Sequence, residues 1–176
     1  LDIFMTFWKF IEKNFNEAKT KPLGSLESKL RQEFPDHDDI KLAEIACISG
    51  LLARVAFVDL NIEESEKINI QHSLKKWLSV DDDFAVKLTK ITCSETESLA
   101  GTENHSYTQF LKENLTETKR YHILEMLFSV AASDGNADNA ESEEIRIITK
   151  GLGLEHKHFV SARVSVKDFL GSLKTS

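Results

Sequence analysis

The sequence predicts an all-α protein of about seven helices, and three observations support this fold class. Both prolines, Pro22 and Pro35, lie before residue 36, and only 7 of the 176 residues are glycine. Apolar residues recur at helical spacing along the rest of the chain. No segment alternates apolar and polar residues in the way that a half-buried strand does. A chain of this length fits one domain with a sizeable core.

The chain opens with an amphipathic segment, residues 1–15, and continues with a linker, residues 16–35. The apolar stripe of the first segment consists of Phe4, Phe7, Trp8, Ile11 and Phe15. We expect a helix that packs on the core. The alternative is a helix that binds a partner protein or makes a peripheral contact with a membrane surface. The linker is rich in Lys, Ser and Glu, and it has room for one short helix.

The remaining helices are expected to form one domain, residues 36–171. Side-chain oxygens that can accept from free backbone N–H groups mark three helix starts. Asp36 or Asp38 can cap a long apolar helix, Asp81 a helix near residues 82–99, and Thr116 a second long helix. Further helices are expected at about 64–78, 107–113, 145–152 and 155–169.

Charge and cysteine content narrow the range of functions and locations. The formal net charge of −7 argues against nucleic-acid binding, which depends on positive charge. Cys47 and Cys93 have no metal-type spacing, and we expect two buried thiols in a reducing compartment. The sequence has no run of about 18 apolar residues, so we expect no transmembrane helix. The N-terminus lacks the features of a signal peptide. We therefore expect a cytoplasmic protein, with a membrane-peripheral location as the alternative.

The chain contains an internal repeat. A shift of 75 residues aligns residues 45–84 with residues 120–159 without a gap, and ten positions are identical. The apolar identities, such as Ile48 with Ile123, are those that two similar helix pairs would share. The polar identities at the two helix junctions are Asp59 with Asp134, Asn61 with Asn136, and Glu66 with Glu141. Two helical hairpins with one pattern indicate a pseudo-symmetric domain.

Both junctions read Asp-x-Asn-x-[Asp/Glu]-x-x-Glu. The oxygen-bearing residues are Asp59, Asn61, Glu63 and Glu66 in the first junction, and Asp134, Asn136, Asp138 and Glu141 in the second. Asp138 and Glu141 have the spacing of a capping box. Capping does not explain Asp59 and Asp134. Each is expected at the C-terminal end of a helix, where a negative charge is disfavoured by roughly 0.3–1 kcal/mol. The pattern therefore fits either capped, solvated acids or a cation site.

A cation at these junctions would be Ca²⁺ or Mg²⁺, because all the ligands are oxygens and no His or Cys lies nearby. The pattern is not an EF-hand, since its glutamate stands at position 8 rather than 12. Calcium takes six to eight oxygens, so four ligands per junction are too few. Backbone carbonyls, water or the other junction would have to complete the shell.

The junctions resemble the motif of the TerB family of tellurite-resistance-associated proteins, and of a related domain in membrane-anchored DnaJ-type co-chaperones. The motif Asp-Gly-x-[Ile/Ala]-x-x-x-Glu-x-x-x-Ile is carried by Asp59-Leu60-Asn61-Ile62 with Glu66 and Ile70, and by Asp134-Gly135-Asn136-Ala137 with Glu141 and Ile145. The segments 106–110 and 119–121 also fit an uncharacterised bacterial subgroup. Leu60 departs from the pattern, because it replaces a glycine that could form a left-handed turn without strain.

The resemblance covers about residues 36–166, and it implies a pseudo-twofold all-α fold whose junction acids bind a divalent cation. The leading hypothesis is a non-catalytic, stress-linked module of this kind. The alternative is a metal-free adaptor that binds a protein partner through the N-terminal helix or an acidic face. We expect no enzyme, because the chain lacks a glycine-rich phosphate loop and its histidines are scattered without a local catalytic motif.

Overall fold

The computed structural model describes residues 23–58, 64–98, 104–132 and 139–174, and every regular element in these ranges is an α-helix. This confirms the predicted all-α fold class. The N-terminal segment 1–15 lies outside the described residues. The eight described helices are α1 (Ser25–Glu33), α2 (Asp39–Ala56), α3 (Glu64–Leu78), α4 (Asp82–Ser98), α5 (Asn104–Asn114), α6 (Glu117–Ala131), α7 (Asn139–Gly151) and α8 (His156–Lys174).

The helix α1 lies within the predicted linker, residues 16–35, and it belongs to the core. Leu26, Leu30 and Phe34 recur at helical spacing and are all buried. They pack where α1 contacts α2 and α4. An ion pair between Lys29 and Glu95 joins α1 to α4 at the edge of this contact. The packed part of the chain therefore begins before residue 36, where the sequence placed the domain boundary.

Three helices begin at the capping residues that the sequence indicated. The Asp38 carboxylate accepts from the Lys41 N–H at 2.9 Å, so Asp38 rather than Asp36 caps α2. Asp81 accepts from the N–H of Phe84 at 2.8 Å, ahead of α4. Thr116 caps α6. Each cap satisfies one of the N–H groups that a helix start leaves without an intrahelical partner.

The helix α2 is the centre of the bundle, because almost every residue from Leu42 to Val55 is buried. It contacts each of the helices α1 and α3 to α7. Cys47 on α2 and Cys93 on α4 are both buried, as the sequence predicted. No helix in the described ranges is both long enough and apolar enough to cross a membrane.

The two repeats pack as two helix pairs, α2 with α3 and α6 with α7. The equivalent residues Ile48 and Ile123 line the same small apolar cavity. Arg54, near the end of α2, pairs with Glu144, near the start of α7. Since α7 begins eight residues after the end of α6 and packs against it, the ion pair and the shared cavity indicate that α2 and α6 run in the same direction. The C-terminal ends of α2 and α6, after which the two junctions follow in the chain, therefore lie at one end of the bundle.

The helix α5 lies outside both repeats and contacts each of them at a glycine. A Cβ atom on Gly50 of α2 would lie 2.6 Å from the Tyr107 ring. One on Gly151 of α7 would lie 2.6 Å from the hydroxyl of Thr108. Two neighbouring residues of α5 thus pack on one helix of each repeat. The helices approach closely because the residue on the partner helix is a glycine, which has no side chain, in both contacts.

Candidate functional site

The described residues contain two of the eight predicted cation ligands. Glu66 lies in the first turn of α3 and Glu141 in the first turn of α7. Both residues are partly exposed. The other predicted ligands, which lie outside the described residues, are Asp59, Asn61, Glu63, Asp134, Asn136 and Asp138. Whether the eight side chains converge stays a prediction, and the described ranges alone contain no group of three acidic, His or Cys side chains that could hold a metal ion.

An ion pair connects the helices that flank the two junctions. The guanidinium Nε of Arg54 lies 3.2 Å from a carboxylate oxygen of Glu144. Arg54 is five residues before Asp59, and Glu144 is three residues after Glu141. The side chain of Glu144 is only 9% exposed, so burial strengthens its interaction with the guanidinium. The pair links the chain before the first junction to the chain after the second.

The core contains a group of buried glutamates that the sequence analysis did not single out. Glu27 pairs with Arg31 of its own helix and also accepts from a backbone N–H. Glu95 pairs with Lys29. Burial alone would raise the pKa of Glu95, but hydrogen bonds from Lys29 and Ser25 outweigh it and lower that pKa. Each of these carboxylates is thus compensated by a cation.

Glu44 on α2 is the exception among the buried glutamates of the described ranges. It is 2% exposed, and its Oε1 atom has no hydrogen-bond partner in the part of the chain that the structure describes. Burial raises the pKa of Glu44 to about 7, although the charges of Lys119 and Lys41 oppose this shift. The charge of Asp38 acts in the same direction as burial. One signal was available in the sequence, because Glu44 is the acidic residue within the apolar stretch LAEIACISGLLA.

The Glu44 position is also related to the repeat. Lys119, the largest opposing charge, lies 75 residues after Glu44 in the chain. The two residues therefore occupy equivalent positions at the starts of α2 and α6. These helices run in the same direction, and the equivalent residues Ile48 and Ile123 line one cavity. Glu44 lies one turn before Ile48, so the two residues share a face of α2.

A groove of about 380 Å³ lies between α3 and α4. Charged residues line it, including Glu64, Lys67 and Lys90, and Cys93 is also among the lining residues. Its described lining contains no histidine. The described lining therefore offers no histidine of the kind that serves as the base for a cysteine nucleophile.

The contacts between α6 and α8 place a serine, a glutamate and a histidine together, but in an order that does not suit catalysis. Glu125 accepts from Ser165 at 3.2 Å and contacts the His122 ring at 2.9 Å. In a catalytic triad the histidine lies between the nucleophile and the acid, because it removes the hydroxyl proton. Here the glutamate lies between them, so His122 is not placed to activate Ser165.

These features define a class of protein: an all-helical bundle with two repeats, in which the helices that precede the two acidic junctions, α2 and α6, end at the same end of the bundle. Comparison with protein families gives a match to tellurite resistance protein TerB over residues 41–164. The match covers more than half of the chain, and the chain belongs to the TerB family. It begins within α2, so that α1 lies outside it. No curated protein and no solved structure matches the chain. The relation to the DnaJ-type domain and to a bacterial subgroup stays a prediction.

Proposed function

We propose that this chain is a non-catalytic TerB module that binds one divalent cation, Ca²⁺ or Mg²⁺, between its two helix junctions. The observation that carries the proposal is the common direction of α2 and α6. Because both helices end at the same end of the bundle, the two acidic junctions that follow them start side by side. The Arg54–Glu144 pair, which joins α2 to α7, supports this placement.

A site shared between the junctions supplies enough ligands for calcium. Each junction offers four oxygen-bearing side chains, whereas Ca²⁺ takes six to eight oxygens. Packed helices have axes about 8–10 Å apart, and α2 contacts α6 directly. Loops that begin at that separation can direct side chains toward a common point. The ligands would come from Asp59, Asn61, Glu63, Glu66, Asp134, Asn136, Asp138 and Glu141.

The same arrangement explains why aspartates stand at the ends of two helices. A carboxylate near a helix C-terminus is disfavoured by roughly 0.3–1 kcal/mol, and two such groups at one end of the bundle also repel each other. A bound divalent cation reverses both effects. Glu144 is not part of the proposed ligand set, because Arg54 already neutralises it.

The test compares the melting temperature of the full chain in Ca²⁺, in Mg²⁺ and in EDTA. At 100 times its dissociation constant, the cation should add about 2.7 kcal/mol to the free energy of unfolding. The Asp59→Ala/Asp134→Ala variant should lose this response. A matched control, Asp36→Ala/Asp83→Ala, removes the same charge from exposed positions at the opposite end of the bundle, and it should respond as the wild type does.

Two results would contradict the proposal. One is a wild-type melting temperature that is the same in both cations and in EDTA. The other is an equal response in the junction variant and the control, since this would indicate general screening of the net negative charge. Either result would favour the alternative, a metal-free adaptor that binds a protein partner.

A further inference from the structure

We propose that Glu44 is a proton-binding switch between α2 and α6: its neutral carboxyl group packs in the closed bundle, and its carboxylate form loosens the contact between the two helices. This inference is independent of the cation site, because Glu44 lies near the start of α2, whereas the first junction follows the end of that helix in the chain. It concerns the two helices that lead into those junctions.

The first support is the lack of compensation around Glu44. Each of the other buried glutamates pairs with an Arg or Lys side chain, as in Glu27–Arg31, Glu95–Lys29 and Glu144–Arg54. Glu44 has no ion pair within hydrogen-bonding distance among the described residues, and its Oε1 atom accepts nothing. An ionised carboxylate in such a place costs far more free energy than a neutral carboxyl group.

The second support is the set of charges around Glu44. Lys119 lies across from it on α6, while Lys41 and Asp38 lie on or beside its own helix. The two lysines favour the carboxylate, whereas Asp38 and burial oppose it, and burial is the largest effect. The opposing influences hold the pKa of Glu44 at about 7. The carboxyl group therefore changes its charge within the range of pH that a cell can reach.

The third support is the position of Glu44 between the two repeats. The lysine equivalent to it in the second repeat, Lys119, is partly exposed on α6, so the charge that most favours the carboxylate lies across the contact between α2 and α6. Release of the proton thus favours a small movement at the starts of these helices. The packing of α2 against six other helices favours the closed form, which is the form that the structure shows.

The test is a titration of the full chain by ¹³C NMR, which follows the side-chain carboxyl carbon of Glu44 and assigns it by its absence in Glu44→Gln. The expected midpoint is close to pH 7. In parallel, amide hydrogen exchange is measured in the N-terminal halves of α2 and α6, and the rates are normalised to the intrinsic rate at each pH. Protection there should fall as the pH rises through the midpoint.

Two variants separate a switch from a general effect of pH. Glu44→Gln keeps the neutral form, so its normalised protection should not change between pH 5 and pH 8, whereas that of the wild type falls. Glu27→Gln, which alters a buried but paired glutamate, should retain the wild-type dependence on pH. A Glu44 midpoint near the ordinary value of 4.5, or equal pH dependence in wild type and Glu44→Gln, would overturn the proposal. If Glu44→Gln does not fold, the wild-type carboxyl signals are followed without assignment. A signal with a midpoint near pH 7 would support the proposal, and midpoints that all lie below pH 6 would overturn it.

Discussion

Replacement of Gly50 by alanine tests the close packing of α5 on the first repeat. The new Cβ atom would lie 2.6 Å from Cε2 and 3.1 Å from Cδ2 of the Tyr107 ring, and 3.3 Å from a methyl group of Leu26. Tyr107 is 4% exposed and Leu26 is 2% exposed, so neither side chain can move into solvent. Excess volume in a tightly packed core typically costs about 1–3 kcal/mol, and contact with a rigid ring places this case at about 3 kcal/mol.

Alanine also has a favourable effect at this position, which must be subtracted. It is better than glycine in the interior of a helix by about 1 kcal/mol. The net expectation is therefore a loss of about 2 kcal/mol in the free energy of unfolding. For a chain of this size that corresponds to a decrease of about 4–8 °C in the melting temperature.

The measurement is urea-induced unfolding followed by circular dichroism, for the wild type, Gly50→Ala, Tyr107→Ala and the double variant. In the Tyr107→Ala background the ring is absent, so only the helix propensity remains. There, the same glycine-to-alanine change should stabilise the protein by about 1 kcal/mol. A Gly50→Ala variant as stable as the wild type would refute the packing of Tyr107 on α2, and so would an equal effect in both backgrounds.

Three further predictions concern other parts of the fold. Gly151→Ala should destabilise the protein because its Cβ would lie 2.6 Å from the Thr108 hydroxyl, and Thr108→Ala should restore part of the loss in the same unfolding assay. Leu30→Ala should cost about 2–5 kcal/mol because Leu30 is fully buried, whereas Ile68→Ala, at a residue that is 50% exposed, should cost less than about 1 kcal/mol; equal costs would show that α1 is not part of the core. The raised pKa of Glu44 gives the third prediction: the stability that its protonated form contributes is complete below pH 4.5 and is lost as the pH rises through about 7. At pH 8, Glu44→Gln should therefore be more stable than the wild type by about 3 kcal/mol, while at pH 4.5 the two should be nearly equal, and a constant difference across this range would contradict the prediction.

Much of the helical framework could be predicted from local sequence, because its signals are local. Caps such as Asp38, Asp81 and Thr116 act on N–H groups two or three residues away, and apolar spacing reports which face of a helix is buried. The burial of α1 is less evident from its sequence. Its nine residues SLESKLRQE include five charged or amide side chains, which resemble a solvated linker.

What the sequence of α1 does not reveal is how its charges are compensated. Glu27 is buried because Arg31, one turn later, neutralises it. Lys29 is anchored by Glu95, which is 66 residues away in the chain. The environment of Glu44 is equally hidden in the sequence. That no cation among the described residues pairs with this carboxyl group can be recognised only when the positions of all neighbouring helices are known.

The repeat illustrates a different limit, since equivalence between two segments does not determine how they pack. A pseudo-twofold axis that runs along the helices makes α2 and α6 parallel, and both junctions then lie at one end. An axis across the helices would make them antiparallel and would separate the junctions by the length of the bundle, about 25 Å for 17 residues of helix. The sequence is compatible with both arrangements. The Arg54–Glu144 pair, together with the cavity that Ile48 and Ile123 both line, fits only the first arrangement. For this reason the proposal takes the form of a single cation shared by the two junctions, which the melting temperatures in Ca²⁺, Mg²⁺ and EDTA and the aspartate variants can test.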